Sequence, residues 1–187
     1  IYALTSEGKI RWIFDKIGRT EYSDPVAGQD GTIYFTTWDQ RIIALREEGI
    51  LKWAFQGDDS FKYSPSIDKK GFIYASSGHQ IYCLTQKGTL KWKAVLDDLI
   101  CSKPLLDIQG TIYQLTGDGY LFTISEQGKI KKKQKICTNA SYGEADSKGN
   151  IYITGRDGLY LIKKDNKKLK LYSLSEKETI EVPPVIL

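Results

Sequence analysis

Few side chains in this sequence are of the types that do chemistry, and their spacing argues against most of it. The single histidine, His79, has no His, Cys or carboxylate at ligand spacing and reads as a turn histidine. Cys83, Cys101 and Cys137 lie far apart with no CxxC pair, which argues against both a structural zinc site and a dense disulfide framework. Their odd number leaves at least one thiol without an intrachain partner; whether Cys101 and Cys137 bond to each other depends on a Cα separation that sequence does not give. Asp58-Asp59 and Asp97-Asp98 carry oxygens suited to Ca²⁺, but neither forms an alternating acidic loop, so they read as solvated loop acids. No catalytic, cofactor-binding or metal-binding residue is therefore assigned, and no cofactor is expected.

The elements that hold these residues are far more legible. Ile33-Tyr34 returns as Ile73-Tyr74, Ile112-Tyr113 and Ile151-Tyr152, at steps of 40, 39 and 39 residues. A period near 40 marks a repeat architecture. Each unit reads as four short strands, A to D. Strand A follows Pro25, Pro65 or Pro104, residues suited to a strand's first position, where no ladder donor is lost. A Gly turn leads to strand B (IYFTT, IYASS, IYQLT, IYITG), and a second turn leads to strand C (IIAL, IYCL, LFTI, LYLI), an apolar run that implies cover on both faces. A third turn at Gly49, Gly88, Gly128 or Asn166 opens strand D. Trp12, Trp53 and Trp92 stand four residues after Gly8, Gly49 and Gly88, while Lys132 breaks the series and Leu171 is expected in the last place.

Four antiparallel strands at this period, without helical periodicity, predict an all-β fold: a β-propeller of four-stranded blades rather than a β-sandwich. One domain is expected over residues 1–187, with repeats beginning near Ile33, Ile73, Ile112 and Ile151. A partial repeat over 1–24 supplies strands C and D, since Ile1-Tyr2-Ala3-Leu4 aligns with Ile81-Tyr82-Cys83-Leu84, and a further blade is expected to start at 182–187. Four complete blades with partial ones at both ends read as part of a larger ring; the other reading combines the two ends into one incomplete blade.

Composition fits a soluble globular chain: 187 residues, 41% hydrophobic and 27% charged, with no apolar run approaching the length of a membrane span. The chain has no Met and no signal sequence and starts in mid-repeat, which leaves a targeting segment upstream open. A net charge of +4 alone demands no nucleic-acid or membrane partner. The lysines at 131, 132, 133, 135, 163, 164, 167, 168 and 170 lie mostly on or just before strand D, where they blunt an exposed sheet edge. No nucleic-acid partner is expected; an anionic membrane surface is the alternative use of this basic half.

In IYALTSEGKIRW, IIALREEGILKW and IYCLTQKGTLKW the chain resembles the tryptophan-docking repeat of PQQ-like β-propellers, intact three times and decayed twice. The resemblance implies docking of Trp12, Trp53 and Trp92 beside Ala3, Ala44 and Cys83 and against the next unit's Gly peptide. Thr123 and Leu161 take the small-residue place in the decayed units. It also implies a non-catalytic protein-binding scaffold or adaptor, as in cofactor-free members of the family such as an outer-membrane barrel-assembly lipoprotein and the ectodomains of sensor kinases. An extracytoplasmic place, periplasmic or at the cell surface, and further blades of a longer chain follow from it as well. The competing reading is a fragment of a quinoprotein dehydrogenase that uses PQQ and calcium.

Partner recognition is expected on the variable D-to-A connections and B-to-C turns, which share one face of the propeller. Tyr22, Trp38, Phe61, Lys62, Tyr63 and Tyr142 are the candidates. Trp38 replaces the Gly or Arg of other units and reads either as a partner anchor or as packing against a neighbouring loop.

Overall fold

The computed structural model describes residues 1–16, 18–20, 23–146, 148–165, 167–175, 178 and 180. Among them the chain is all β, and the turn signals fall where the strands end. The first sheet has two antiparallel strands, β1 (Tyr2–Leu4) and β2 (Ile10–Ile13). Four four-stranded meanders follow: β3 (Val26–Ala27) to β6 (Leu51–Gln56), β7 (Ser66–Ile67) to β10 (Leu90–Val95), β11 (Leu105–Leu106) to β14 (Ile130–Lys135), and β15 (Ala140–Ala145) to β18 (Lys168–Ser173). Each is a blade in the order A-B-C-D. Pro25, Pro65 and Pro104 stand immediately ahead of the first paired residues of β3, β7 and β11. The strand expected at 182–187 and the turn at Asn166 lie outside the described residues.

The core sits between sheets, because the C strands alternate side chains to two covered faces. In β5 (Arg41–Leu45), Ile43 and Leu45 meet Phe14 and Phe35 at the junction with the N-terminal sheet, while Ile42 and Ala44 meet Ile73, Ala75, Tyr82 and Leu84 of the second blade. In β9 (Gln80–Leu84), Ile81 and Cys83 turn the other way, toward Ile112, Phe122 and Ile124. Leu121, Ile136 and Cys137 then close on Ile151, Ile153, Tyr160 and Ile162 of the fourth blade. Every interior sheet is thus buried twice, and each junction is a separate layer.

Register explains the small residue of strand C. Tyr34 pairs with Ala44 and Ala44 with Trp53, so the two aromatic side chains flank an alanine and meet over it with ring centroids 5.7 Å apart. Tyr74, Cys83 and Trp92 repeat this at 6.0 Å, and Ala3 pairs with Trp12. Each indole then donates to a carbonyl of the next sheet's turn: Trp12 to Glu47 at 2.8 Å, Trp53 to Gln86 at 2.9 Å and Trp92 to Glu126 at 2.8 Å. A Cβ at Gly49, Gly88 or Gly128 would stand 2.5, 2.7 and 2.6 Å from these rings, and φ of +79°, +78° and +78° adds a second reason for glycine.

In the fourth blade Leu169, not Leu171, stands opposite Leu161. Strand D of the earlier blades bulges just after its first pair, whereas here the bulge falls between Leu159 and Tyr160, which moves the register and leaves Leu171 exposed. One recurring device carries the A-to-B turns: Asp68 accepts N–H groups from Lys70 and Phe72, Asp107 from Gln109 and Thr111, and Asp146 from Lys148 and Asn150.

Candidate functional site

The short A strands bring their lead-in segments together. The Asp24 N–H donates to Ser64 Oγ at 2.8 Å, the Ser66 hydroxyl donates to the Pro104 carbonyl, and Lys103 pairs with Glu144 at 2.7 Å. These contacts link four consecutive blades, so segments about 40 residues apart in sequence converge on one groove. It has a volume of about 650 Å³, and Trp38, Lys62, Tyr63, Cys101, Lys103 and Tyr142 are among the residues lining it.

Four of the residues picked out from sequence therefore meet here: Trp38, Lys62, Tyr63 and Tyr142. Tyr63 and Tyr142 are half-buried and Lys62 is exposed. Burial raises the Tyr63 pKa, with Cys101 and Tyr142 adding to it, so the phenol remains a neutral hydrogen-bonding group. Trp38 is half-buried, with the Arg19 guanidinium 4.9 Å and the Lys62 ammonium 5.8 Å from its ring centroid. Its backbone N–H donates to the Arg19 carbonyl at 2.8 Å and its backbone carbonyl accepts from the Ser60 hydroxyl at 2.7 Å. The ring is thus held by its neighbours while lining the groove.

Phe61 is a correction. It is 0% exposed, bridges Ser77 and meets Tyr82 edge-on at 5.4 Å, so this loop residue belongs to the core between the first two blades and offers nothing to a partner. Tyr22 lies outside the described residues. Lys103 and Glu144 join the groove without having been singled out, and Cys101, weighed above only for a disulfide, joins them; Cys101 and Lys103 lie in the connection after strand D and Glu144 on β15.

The thiols are free. Burial pushes Cys83 and Cys101 up to about 12 and Cys137 up to about 11. At neutral pH all three are protonated and weakly nucleophilic. His79 sits exposed in its turn.

The paired acids are not merely solvated. Asp58 pairs with Lys93 of the second blade, and Asp97 with Lys133 of the third at 2.7 Å. Each hydrogen bond from lysine lowers its carboxyl pKa. The Lys133 ammonium also lies 4.3 Å from the Tyr120 centroid, and that of Lys168 lies 4.9 Å from the Tyr160 centroid, so part of the basic half is spent on the blades themselves. Among the described residues, no group of three or more His, Cys, Asp or Glu is placed to hold a metal ion.

No protein-family model and no curated protein matches this sequence. Solved structures are similar in fold. A crystal structure of a protein of unknown function from Bacteroides caccae superposes with a TM-score of 0.66 at 12% identity, covering 88% of this chain and 66% of that one. The WD40 β-propeller domain of Doa1 superposes with a TM-score of 0.63 at 16% identity, covering 73% and 48%. The chain thus spans less than two thirds of the Doa1 domain and about two thirds of the Bacteroides protein. At these identities the likeness shows the fold alone, a β-propeller of four-stranded antiparallel blades.

Proposed function

We propose that the protein is a non-catalytic binding scaffold of the PQQ-like propeller class, working outside the cytoplasm, and that it receives a segment of a protein partner in the groove at the strand-A lead-ins. One observation carries this reading: four blades each contribute to a single concave site lined by half-buried aromatics and an exposed lysine. Aromatic side chains give large contact area at low entropic cost, and a rigid scaffold fixes where they stand. The tryptophan–glycine docks support the choice of family. The Lys103–Glu144 pair at the rim suits a polar segment, since both charges can be re-partnered without burying either alone.

The test is capture from the native organism with intact protein, in parallel with a Lys62→Ala, Tyr63→Ala, Tyr142→Ala variant and with Lys132→Ala on an outer strand as the control. The expected result is a defined partner held by the native protein and the control but lost by the groove variant, enriched in the extracytoplasmic fraction. A partner that survives the groove variant would place recognition elsewhere.

A further inference from the structure

We propose that the outer wall formed by the strand-D edges of the third and fourth blades binds the surface of an anionic lipid bilayer. Strand D is the edge of each sheet farthest from strand A, so this wall and the groove lie at opposite edges of the blades, and the proposal stands apart from the reading of the groove. Charge rises along the successive strand-D units. Residues 5–15 and 46–56 carry two basic and two acidic side chains each, 85–95 carry three basic and no acidic ones, and 125–135 and 163–173 carry five lysines and one acid each. The last two stretches hold ten of the chain's 27 Lys and Arg but only two of its 23 Asp and Glu, so the positive charge is gathered on one side of the molecule.

These lysines exceed what the blades themselves use. All ten are exposed. Lys133 and Lys170 pair with Asp97 and Asp157, and the ammonium groups of Lys135 and Lys168 lie over the rings of Tyr120 and Tyr160. Among the described residues, Lys129, Lys131, Lys132, Lys163, Lys164 and Lys167 have neither a carboxylate nor a ring as partner. Blunting a sheet edge does not call for so many. Strand D of the first blade, β6 (Leu51–Gln56), has one lysine, Lys52, and that one is tied to Asp30 and Thr32. Lys132 stands opposite Thr123 in the place of the docking tryptophan, so there a packing contact is replaced by a charge.

The kind of side chain selects lipid among anions. The two stretches contain lysine and no arginine, compact point charges rather than the planar forks that read phosphates of nucleic acid bidentately. Among the lysines stand Ile130, Leu171 and Tyr172, exposed at 46%, 48% and 54%, apolar bodies of the kind that enter the headgroup region while lysine ammonium groups stay in water. β14 (Ile130–Lys135) belongs to a blade packed against a neighbour on either side, so its exposure does not come from where the sequence begins or ends. Further repeats would extend round the ring rather than over this outer edge.

The test is co-sedimentation of the full chain with vesicles of three parts phosphatidylcholine to one of phosphatidylglycerol. They should hold the protein at low salt and release it as salt is raised, and vesicles of phosphatidylcholine alone should not hold it. Each lysine at such a surface is worth about fivefold in affinity, so Lys129→Gln, Lys131→Gln, Lys132→Gln together should bind on the order of a hundredfold more weakly. Lys9→Gln, Lys16→Gln, Lys69→Gln removes the same charge elsewhere and should bind close to the native chain. Leu171→Ser, Tyr172→Ser should weaken vesicle binding as well, which a surface for a soluble polyanion would not show. A chain indifferent to phosphatidylglycerol, a β14 variant no weaker than the control, an apolar variant that binds like the native chain, or a DNA duplex bound more tightly than the vesicles in the same buffer would each overturn the proposal. If the β14 variant does not fold by circular dichroism, Lys163→Gln, Lys164→Gln, Lys167→Gln carries the same test on the fourth blade.

Discussion

Trp53 does three things at once: its ring lies on the Gly88 peptide, its indole N–H donates to the Gln86 carbonyl, and its edge meets Tyr34 over Ala44. Truncating it to Ala removes all three, and the expected loss is about 3–5 kcal/mol, read as a lower urea midpoint at unchanged slope. The glycine side of the contact separates strain from contact. Gly8→Ala should cost only the left-handed backbone penalty of about 1–2 kcal/mol. Gly88→Ala should cost about 1–3 kcal/mol more, because its Cβ would stand 2.7 Å from the Trp53 ring. Equal losses at the two positions in dilute protein would show that the ring does not press on Gly88. The thiols give a second residue-scale expectation: with pKa values pushed to about 11 or 12 by burial, all three should resist iodoacetamide at pH 8 in the native protein and react in urea. The tryptophans and their glycines could be read from sequence because the period repeats both at fixed offsets. Phe61 could not, since its burial depends on Ser77 and Tyr82, which belong to the following blade.

Between elements, strand D of one blade is tied to the loop before it by charge. Lys93 reaches back to Asp58 and Lys133 to Asp97, and both carboxyls titrate below their ordinary value. A carboxyl depressed in the folded state contributes stability that is fully present above its unfolded pKa of about 3.9 and is lost as pH falls through the folded value. Lysine pKa values are raised in the same pairs, so the same stabilisation is lost again as pH climbs through and beyond the ordinary lysine value near ~10.4. Thermal melts should therefore fall off at both extremes, and Asp97→Asn should flatten part of the acid limb while leaving the midpoint at pH 7 within a few degrees, as suits an exposed pair. An unchanged acid limb would mean that solvent already screens the pair completely. Strand order and turn positions followed from Gly, Pro and the alternating apolar residues, whereas these pairings did not. Asp58-Asp59 looks the same in sequence whether solvated or bridged, and the outcome is set by how far one blade is rotated against the next. The place of Leu169 was hidden for a similar reason, because a bulge displaced by a few residues leaves composition untouched and changes which side chain faces the neighbour.

For the molecule as a whole, stability is a sum over junctions, and the junctions are unequal. The first three are each closed by a tryptophan on a glycine, while at the last one Lys132 stands opposite Thr123 in the tryptophan's place, so the ring of that contact is missing. The second blade is buried on both faces, and Ile73–Ser77 is buried throughout. The fourth blade is covered on its back face but only half-buried on its front, and the N-terminal sheet has two strands and one covered face. Opening should begin at the ends and reach the middle last. Native-state hydrogen exchange tests this directly: amides of β8 (Ile73–Ser77) and β9 should exchange only through global unfolding, and those of β1, β2, β17 (Gly158–Ile162) and β18 should exchange faster. Uniform protection across all blades would mean that the junctions are tightly coupled despite the missing tryptophan.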